Sequence, residues 1–172
     1  YYEYAPARVQ MEIVMKNISR KNWVLIWVLG MTGQICWNIE NSWFNTFVYR
    51  KIAPDPSIVA WMVGVSAVVS TFCTFLIGTA GDRLGKRRPF IAFGYILWGV
   101  FTIAFGVTEC LLKGPLWLAA TCVVLADAVM SFFGSMGNDG AFNPWTTDIS
   151  SESNRGRVGG ALAVMPVFAT IF

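Results

Sequence analysis

Two long runs of this chain, residues 58–81 and 89–108, contain no charged residue, and a short basic turn joins them. At 1.5 Å of rise per residue, each is long enough to cross a hydrocarbon core of about 30 Å as a helix. An earlier apolar run opens at Trp23, another follows Pro115, and one beginning near residue 158 is still apolar at Phe172. The pattern predicts an all-α integral membrane chain, with helices over 23–48, 58–81, 89–108 and 115–144 and a fifth that starts at 158 and breaks off at 172. That makes about four complete spans and part of another, after a polar cytoplasmic tail over 1–22. Pro54 and Pro56 fix the turn after the first span, Ser57 is placed to cap the second helix, and Pro115 suits the opening turn of the fourth.

Polar residues interrupt these runs in order. Gln34, Asn38, Asn41 and Asn45 are spaced i, i+4, i+7 and i+11, which keeps them on one stripe of an α-helix. Amides cannot face lipid unpaired, so the stripe lines a wet cavity or bonds to neighbouring helices, and a continuous ladder favours the cavity. Glu40 falls about 120° away from it by the same helical arithmetic. An intramembrane carboxylate is a functional candidate by default, and the competing reading is a structural ion pair with Arg50 or Lys51. In the second span Ala60, Gly64, Ala67, Thr71, Thr74 and Gly78 form a stripe of small residues suited to close approach of another helix. Tyr95 and Trp98 in the third read as core or lipid-facing aromatics. The fourth span carries Asp127, Ser131, Gly134 and Asn138 on a second polar stripe, with Asp139 and Asn143 as a separate i, i+4 pair. Gly134, Gly137 and Gly140 make that half bendable or open to close packing, and Asn143-Pro144-Trp145 reads as the bend leaving the membrane.

Composition agrees: the chain is 55% hydrophobic and 13% charged, against about a quarter charged in soluble domains. The net charge of +3 divides unevenly. Arg8, Lys16, Arg20, Lys21, Arg83, Lys86, Arg87, Arg88, Arg155 and Arg157 fall on one predicted side, and Arg50, Lys51 and Lys113 on the other. Lys and Arg stay cytoplasmic, so the N-terminus is expected inside a cell membrane, and the basic balance reflects topology rather than nucleic-acid binding. The sequence has no histidine, which excludes a histidine-based triad or proton relay in this stretch. Cys36, Cys73, Cys110 and Cys122 lack C-x-x-C spacing and read as buried thiols. No nucleophile or metal-ligand constellation is apparent, so neither an enzyme nor a cofactor or metal is expected. The chain does not open on Met, and Met11 or Met15 is the expected native start.

The basic turn carries the most specific pattern. Gly78, Asp82, Arg83, Gly85, Lys86 and Arg87, at this spacing between two spans, resemble the signature loop between helices 2 and 3 of the major facilitator superfamily, with Ala80 where that loop usually has Leu. Asp82, the odd acid in a basic loop, is expected to have a fixed partner. The resemblance implies a helical bundle in which helices 1 and 4 line a central cavity, helix 2 packs at the interface between two halves and helix 3 lies outside. It also implies a C-terminal half of the same transporter, and a cytoplasmic latch formed by Asp82, Arg83 and Arg87.

Two further stretches, residues 41–49 and 137–145, look most like the glycoside, pentoside and hexuronide cation symporters. In that family a helix 4 carboxylate handles cation and sugar with acids on helix 2; Asp139 matches the former, whereas helix 2 here has no acid. Sodium coupling of that kind is therefore in doubt, and a proton on Asp139, Asp127 or Glu40 takes its place, since a carboxyl out of water can cycle between charged and neutral forms. The expected function is secondary active, proton-coupled (or sodium-coupled) symport of a sugar or glycoside by alternating access. Gln34, Asn38, Asn41 and Asn45 would hydrogen-bond hydroxyls, and Trp37 or Trp43 would stack on the sugar face. The alternatives are proton-driven efflux of amphipathic compounds and a non-transporting membrane sensor or scaffold.

Overall fold

The computed structural model describes residues 18–108 and 115–171. The expected tail as far as residue 17, with its Arg8, Lys16 and candidate start residues, and the expected turn over 109–114, with Cys110 and Lys113, lie outside the described residues. Helix α1 begins as Arg20–Asn38 and continues through a π-helical stretch, Ile39–Phe44, one α turn, Asn45–Phe47, and a second π stretch, Val48–Ile52. Then come α2, Pro56–Leu84, and α3, Arg88–Gly106. Helix α4, Leu116–Gly137, passes through a π stretch, Asn138–Phe142, into Asn143–Asp148, and α5 is Arg155–Ala169.

Among the described residues three helices are long and apolar enough to cross a membrane: α2, α3, and α4 with its extension to Asp148. Helix α1, expected as a span of the same kind, is not among them, because its second half carries Gln34, Asn38, Glu40, Asn41 and Asn45. Large apolar side chains cover the outside of the bundle; Trp61, Phe72 and Phe75 on α2 are each more than 60% exposed. In water such a surface would drive aggregation, whereas beside lipid tails it costs nothing.

Helix ends follow local chemistry. Ser57 was expected to cap α2, but the cap is Asp55, whose carboxylate accepts hydrogen bonds from the Ser57 backbone N–H at 2.9 Å and the Ser57 hydroxyl at 2.7 Å. These two bonds hold the Asp55 carboxyl below its ordinary range. Pro56 then fills the first helical position, where its missing N–H is not needed. At the other end Gly85 adopts φ 61°, a left-handed conformation, and its N–H donates to the Gly81 carbonyl. Gly85→Ala would force a β-carbon into that conformation at a cost of roughly 1–2 kcal/mol. Thermal unfolding of the purified protein should show the loss, whereas Gly78→Ala, where an added β-carbon meets nothing within 4 Å, should not.

The chain divides into two compact units. In the unit over Cys36–Asn143, α4 packs against both α2 and α3. The α3–α4 seam is closed by glycines: a β-carbon on Gly94 would strike the Gly137 backbone, and one on Gly134 would strike the Trp98 indole. Gly140 meets Ile77 of α2 in the same way. Near the connection between α1 and α2, Phe44 stacks on Phe105 at 4.1 Å beside buried Val48, Met62 and Val123. The small-residue stripe on α2 makes no comparable seam, since Gly64 and Gly78 both face open space.

The other unit holds residues 18–35 and 144–171 among those described. Buried Ile26, Val158 and Met165 are packed by Trp23, Trp145 and Leu162, and the Arg157 guanidinium lies 5.7 Å from the Trp23 ring centroid. Trp145 was expected at a bend where the fourth helix leaves the membrane. The helix instead runs on to Asp148, because the π stretch at Asn138–Phe142 takes up the irregularity just before Pro144, and Trp145 packs into this cluster.

Candidate functional site

A cavity of about 200 Å³ lies within the Cys36–Asn143 unit. Trp37, Glu40, Asn41 and Asn45 of α1, Val63, Ser66, Ala67 and Ser70 of α2, and Asp127 and Ser131 of α4 line it. Its two carboxylates are buried, Glu40 at 5% and Asp127 at 2% exposure. Each is held from another helix: the Ser131 hydroxyl donates to Glu40 Oε1, and the Ser66 hydroxyl donates to Asp127 Oδ2. The fully buried indole of Trp98 on α3 points its N–H at Glu40 Oε2 from 3.4 Å and packs against Trp37, with ring centroids 5.1 Å apart. Among the described residues neither carboxylate makes an ion pair. Both acids are therefore held out of water by neutral donors alone.

The π turn explains why Glu40 is here. An α-helix sets residues i and i+5 about 140° apart, whereas a π turn, closed by i→i+5 bonds, brings them towards one face. Glu40 and Asn45 stand in that relation across Ile39–Phe44, so the carboxylate joins the asparagines instead of pointing away. The ion pair with Arg50 or Lys51 does not form; the partners of Glu40 are Ser131 and Trp98.

The same turn breaks the four-amide stripe. Asn41 and Asn45 reach the cavity, with one N–H of each amide turned back onto the helix, Asn41 Nδ2 donating to the Trp37 carbonyl at 2.8 Å and Asn45 Nδ2 to the Asn41 carbonyl at 2.6 Å. Asn38 lies outside the cavity lining and accepts from the Ser42 hydroxyl at 3.3 Å. Gln34 belongs to the other unit, and Trp43 is 63% exposed away from the lining.

Asp139 sits on the second irregular turn, Asn138–Phe142, and does not line the cavity. Its Oδ1 accepts from Asn138 Nδ2 at 3.0 Å and Asn143 Nδ2 at 3.4 Å, while the Tyr95 hydroxyl donates to Asn138 Oδ1 at 3.0 Å. The three acids therefore divide, two in the cavity and one in a separate polar network. Ser66, Ser70 and Trp98 were not anticipated. Ser66 and Ser70 stand i, i+4 within the uncharged part of α2, a signal the sequence did contain, whereas Trp98 lies in an uncharged, mostly apolar run that marks no particular residue.

In the turn between α2 and α3, Asp82 has its fixed partner: Arg87 Nη2 lies 2.5 Å from Asp82 Oδ1. The Arg87 side chain is largely covered and passes so close to Gly81 that a β-carbon there would sit 2.9 Å from Nη1. Gly81, Gly85, Asp82 and Arg87 thus form one compact turn. Arg83 in the last turn of α2, and Lys86 beyond it, remain exposed.

Long apolar helices thus surround a small polar cavity in which two carboxylates are buried, an arrangement that fits a membrane carrier of small solutes. The family model described as Major Facilitator Superfamily matches residues 26–172, and the chain belongs to that superfamily of membrane transporters. No curated protein and no solved structure matches it.

Proposed function

We propose that the chain forms part of a cation-coupled symporter that carries a sugar or glycoside, with a proton as the coupling ion. One observation carries this reading: two buried carboxylates without a cationic partner share a single cavity with asparagine and serine side chains. At about 30 Å³ per water, the cavity has room for roughly seven waters, a scale that suits a single-ring solute. Glu40 and Asp127 are the carboxylates positioned to exchange a proton while touching solute, and Asp139 is a third coupling candidate outside the cavity. Sodium is the alternative coupling ion. A C-terminal half of the same transporter would complete the alternating-access machine, in a cell membrane with the N-terminus cytoplasmic. The Asp82–Arg87 pair would then help latch the cytoplasmic side closed.

A second reading, proton-driven efflux of amphipathic compounds, draws support from the open apolar trough of Val68, Phe72 and Phe75, which adjoins the cavity at Ala67. The test loads vesicles containing the full-length protein with a pH dye and adds glycosides, pentoses and hexuronates singly, with and without sodium. Proton entry that follows one of these solutes without sodium is expected. Solute movement only with sodium would transfer coupling to that ion, and proton movement only with lipophilic compounds would establish the second reading.

A further inference from the structure

Helix α3 carries neither polar stripe, yet it reaches both of the irregular turns that bear acids. Glu40 sits on the π stretch Ile39–Phe44 and Asp139 on the π stretch Asn138–Phe142. Two aromatics one turn apart on α3, Trp98 and Tyr95, each attend to one of them. Trp98 aims its indole N–H at Glu40 Oε2 from 3.4 Å and packs its ring 5.1 Å from that of Trp37, just before the first stretch. The Tyr95 hydroxyl donates to Asn138 Oδ1 at 3.0 Å, and its ring meets Phe142 edge-on at 6.4 Å, so it touches the first and last residues of the second stretch. Each ring has a seat in α4. A β-carbon on Gly134 would come within 2.7 Å of the Trp98 ring, and one on Gly137 within 3.0 Å of the Tyr95 ring. The i, i+3 spacing of the two aromatics is matched by the i, i+3 spacing of the two glycines.

Packing alone would be served by phenylalanine at both places, so the polar atoms need a reason. A buried indole N–H or phenol O–H usually finds a hydrogen-bond partner, and both of these find theirs on a π turn. Such turns are rare inside helices and concentrate at functional sites. Each donor also acts beyond the atom it touches. Trp98 faces one oxygen of Glu40 while Ser131 holds the other, so the carboxylate is gripped from α3 and α4 together. Tyr95 holds the amide oxygen of Asn138, which leaves Asn138 Nδ2 turned to Asp139 Oδ1 at 3.0 Å. We propose that Tyr95 and Trp98 are positioning residues, which hold the two π turns so that Glu40 stays at the cavity wall and Asp139 stays in its own network outside it. Neither residue lines the cavity, so both act through the acids rather than on solute there. The inference rests on the transport reading only for its effect on uptake.

The test compares Trp98→Phe and Tyr95→Phe in the purified full-length protein by amide hydrogen exchange read by mass spectrometry. Each change keeps a ring for the glycine seat and removes the polar hydrogen. Trp98→Phe is expected to speed exchange over residues 39–44 at least about threefold and to leave 138–142 as in the wild type, and Tyr95→Phe to do the reverse. Unchanged exchange in both turns, or an equal rise along the whole of α3 and α4, would reduce the two residues to packing and overturn the proposal. Should Trp98→Phe fail to fold, Tyr95→Phe, smaller by one oxygen atom, decides by the same criteria. In the vesicle assay, Trp98→Phe is expected to lower the maximal rate of proton-coupled uptake at least about fivefold, with the KM for solute within about twofold of the wild type. A rise in KM at an unchanged maximal rate would place Trp98 in solute binding and overturn its positioning role. A wild-type protein that moves none of the sugars would remove the symport reading, while the exchange rates would still decide the positioning.

Discussion

Replacing Glu40 by Gln and Asp127 by Asn together should abolish solute accumulation while leaving exchange of solute across the membrane intact. Both changes keep side-chain shape and the ability to accept from Ser131 and Ser66, so the bundle should survive. They remove the two carboxylates that line the cavity among the described residues, and with them the means of linking solute to a proton gradient there. Accumulation in energised vesicles should collapse to equilibration, whereas counterflow, which needs no net proton movement, should persist. Active uptake at the wild-type level in the double variant would refute the assignment. Asp139→Asn alone should reduce coupling less than the pair, because Asp139 lies outside the cavity in a network with Asn138, Asn143 and Tyr95.

The largest loss of stability is expected at the α3–α4 seam. A side chain at Gly94 would run into the backbone of Gly137 and the Phe133 carbonyl, and a backbone cannot swing aside as a flexible side chain can. Gly94→Leu should cost at least about 1–3 kcal/mol, the usual range for overpacking. Gly64→Ala supplies the opposite sign. Nothing lies within 4 Å of the added carbon, and a helical glycine replaced by alanine gains about 0.5–1 kcal/mol. Thermal unfolding in detergent should therefore separate the two glycines clearly. A neutral Gly94→Leu would mean that α3 and α4 do not approach as closely as described.

The sequence revealed the helices well because uncharged runs long enough to span a membrane have few alternatives, and because Gly85, Asp82 and Arg87 combine backbone and charge requirements at fixed spacing. It revealed the cavity less well, since helical arithmetic assumes 100° per residue throughout. The π turn at Ile39–Phe44 carried Glu40 onto the wall and left Asn38 off it. No side chain in that turn announces a π turn by itself, so the shift was not readable from spacing. The same limit applied at Asn138–Phe142, where the helix was expected to end near Pro144 and did not. Small residues on α2 and on α4 looked equally suited to close approach. The α4 glycines meet α3 and α2, while the α2 stripe stays open, a difference set by which helices become neighbours.

The most direct test of the central claim is a cryo-electron-microscopy structure of the full-length protein with its transported solute bound. The account predicts solute density inside the cavity between Trp37 and Asp127, with Glu40 still held by Ser131. Solute seated elsewhere, with this cavity empty and both carboxylates untouched, would contradict it.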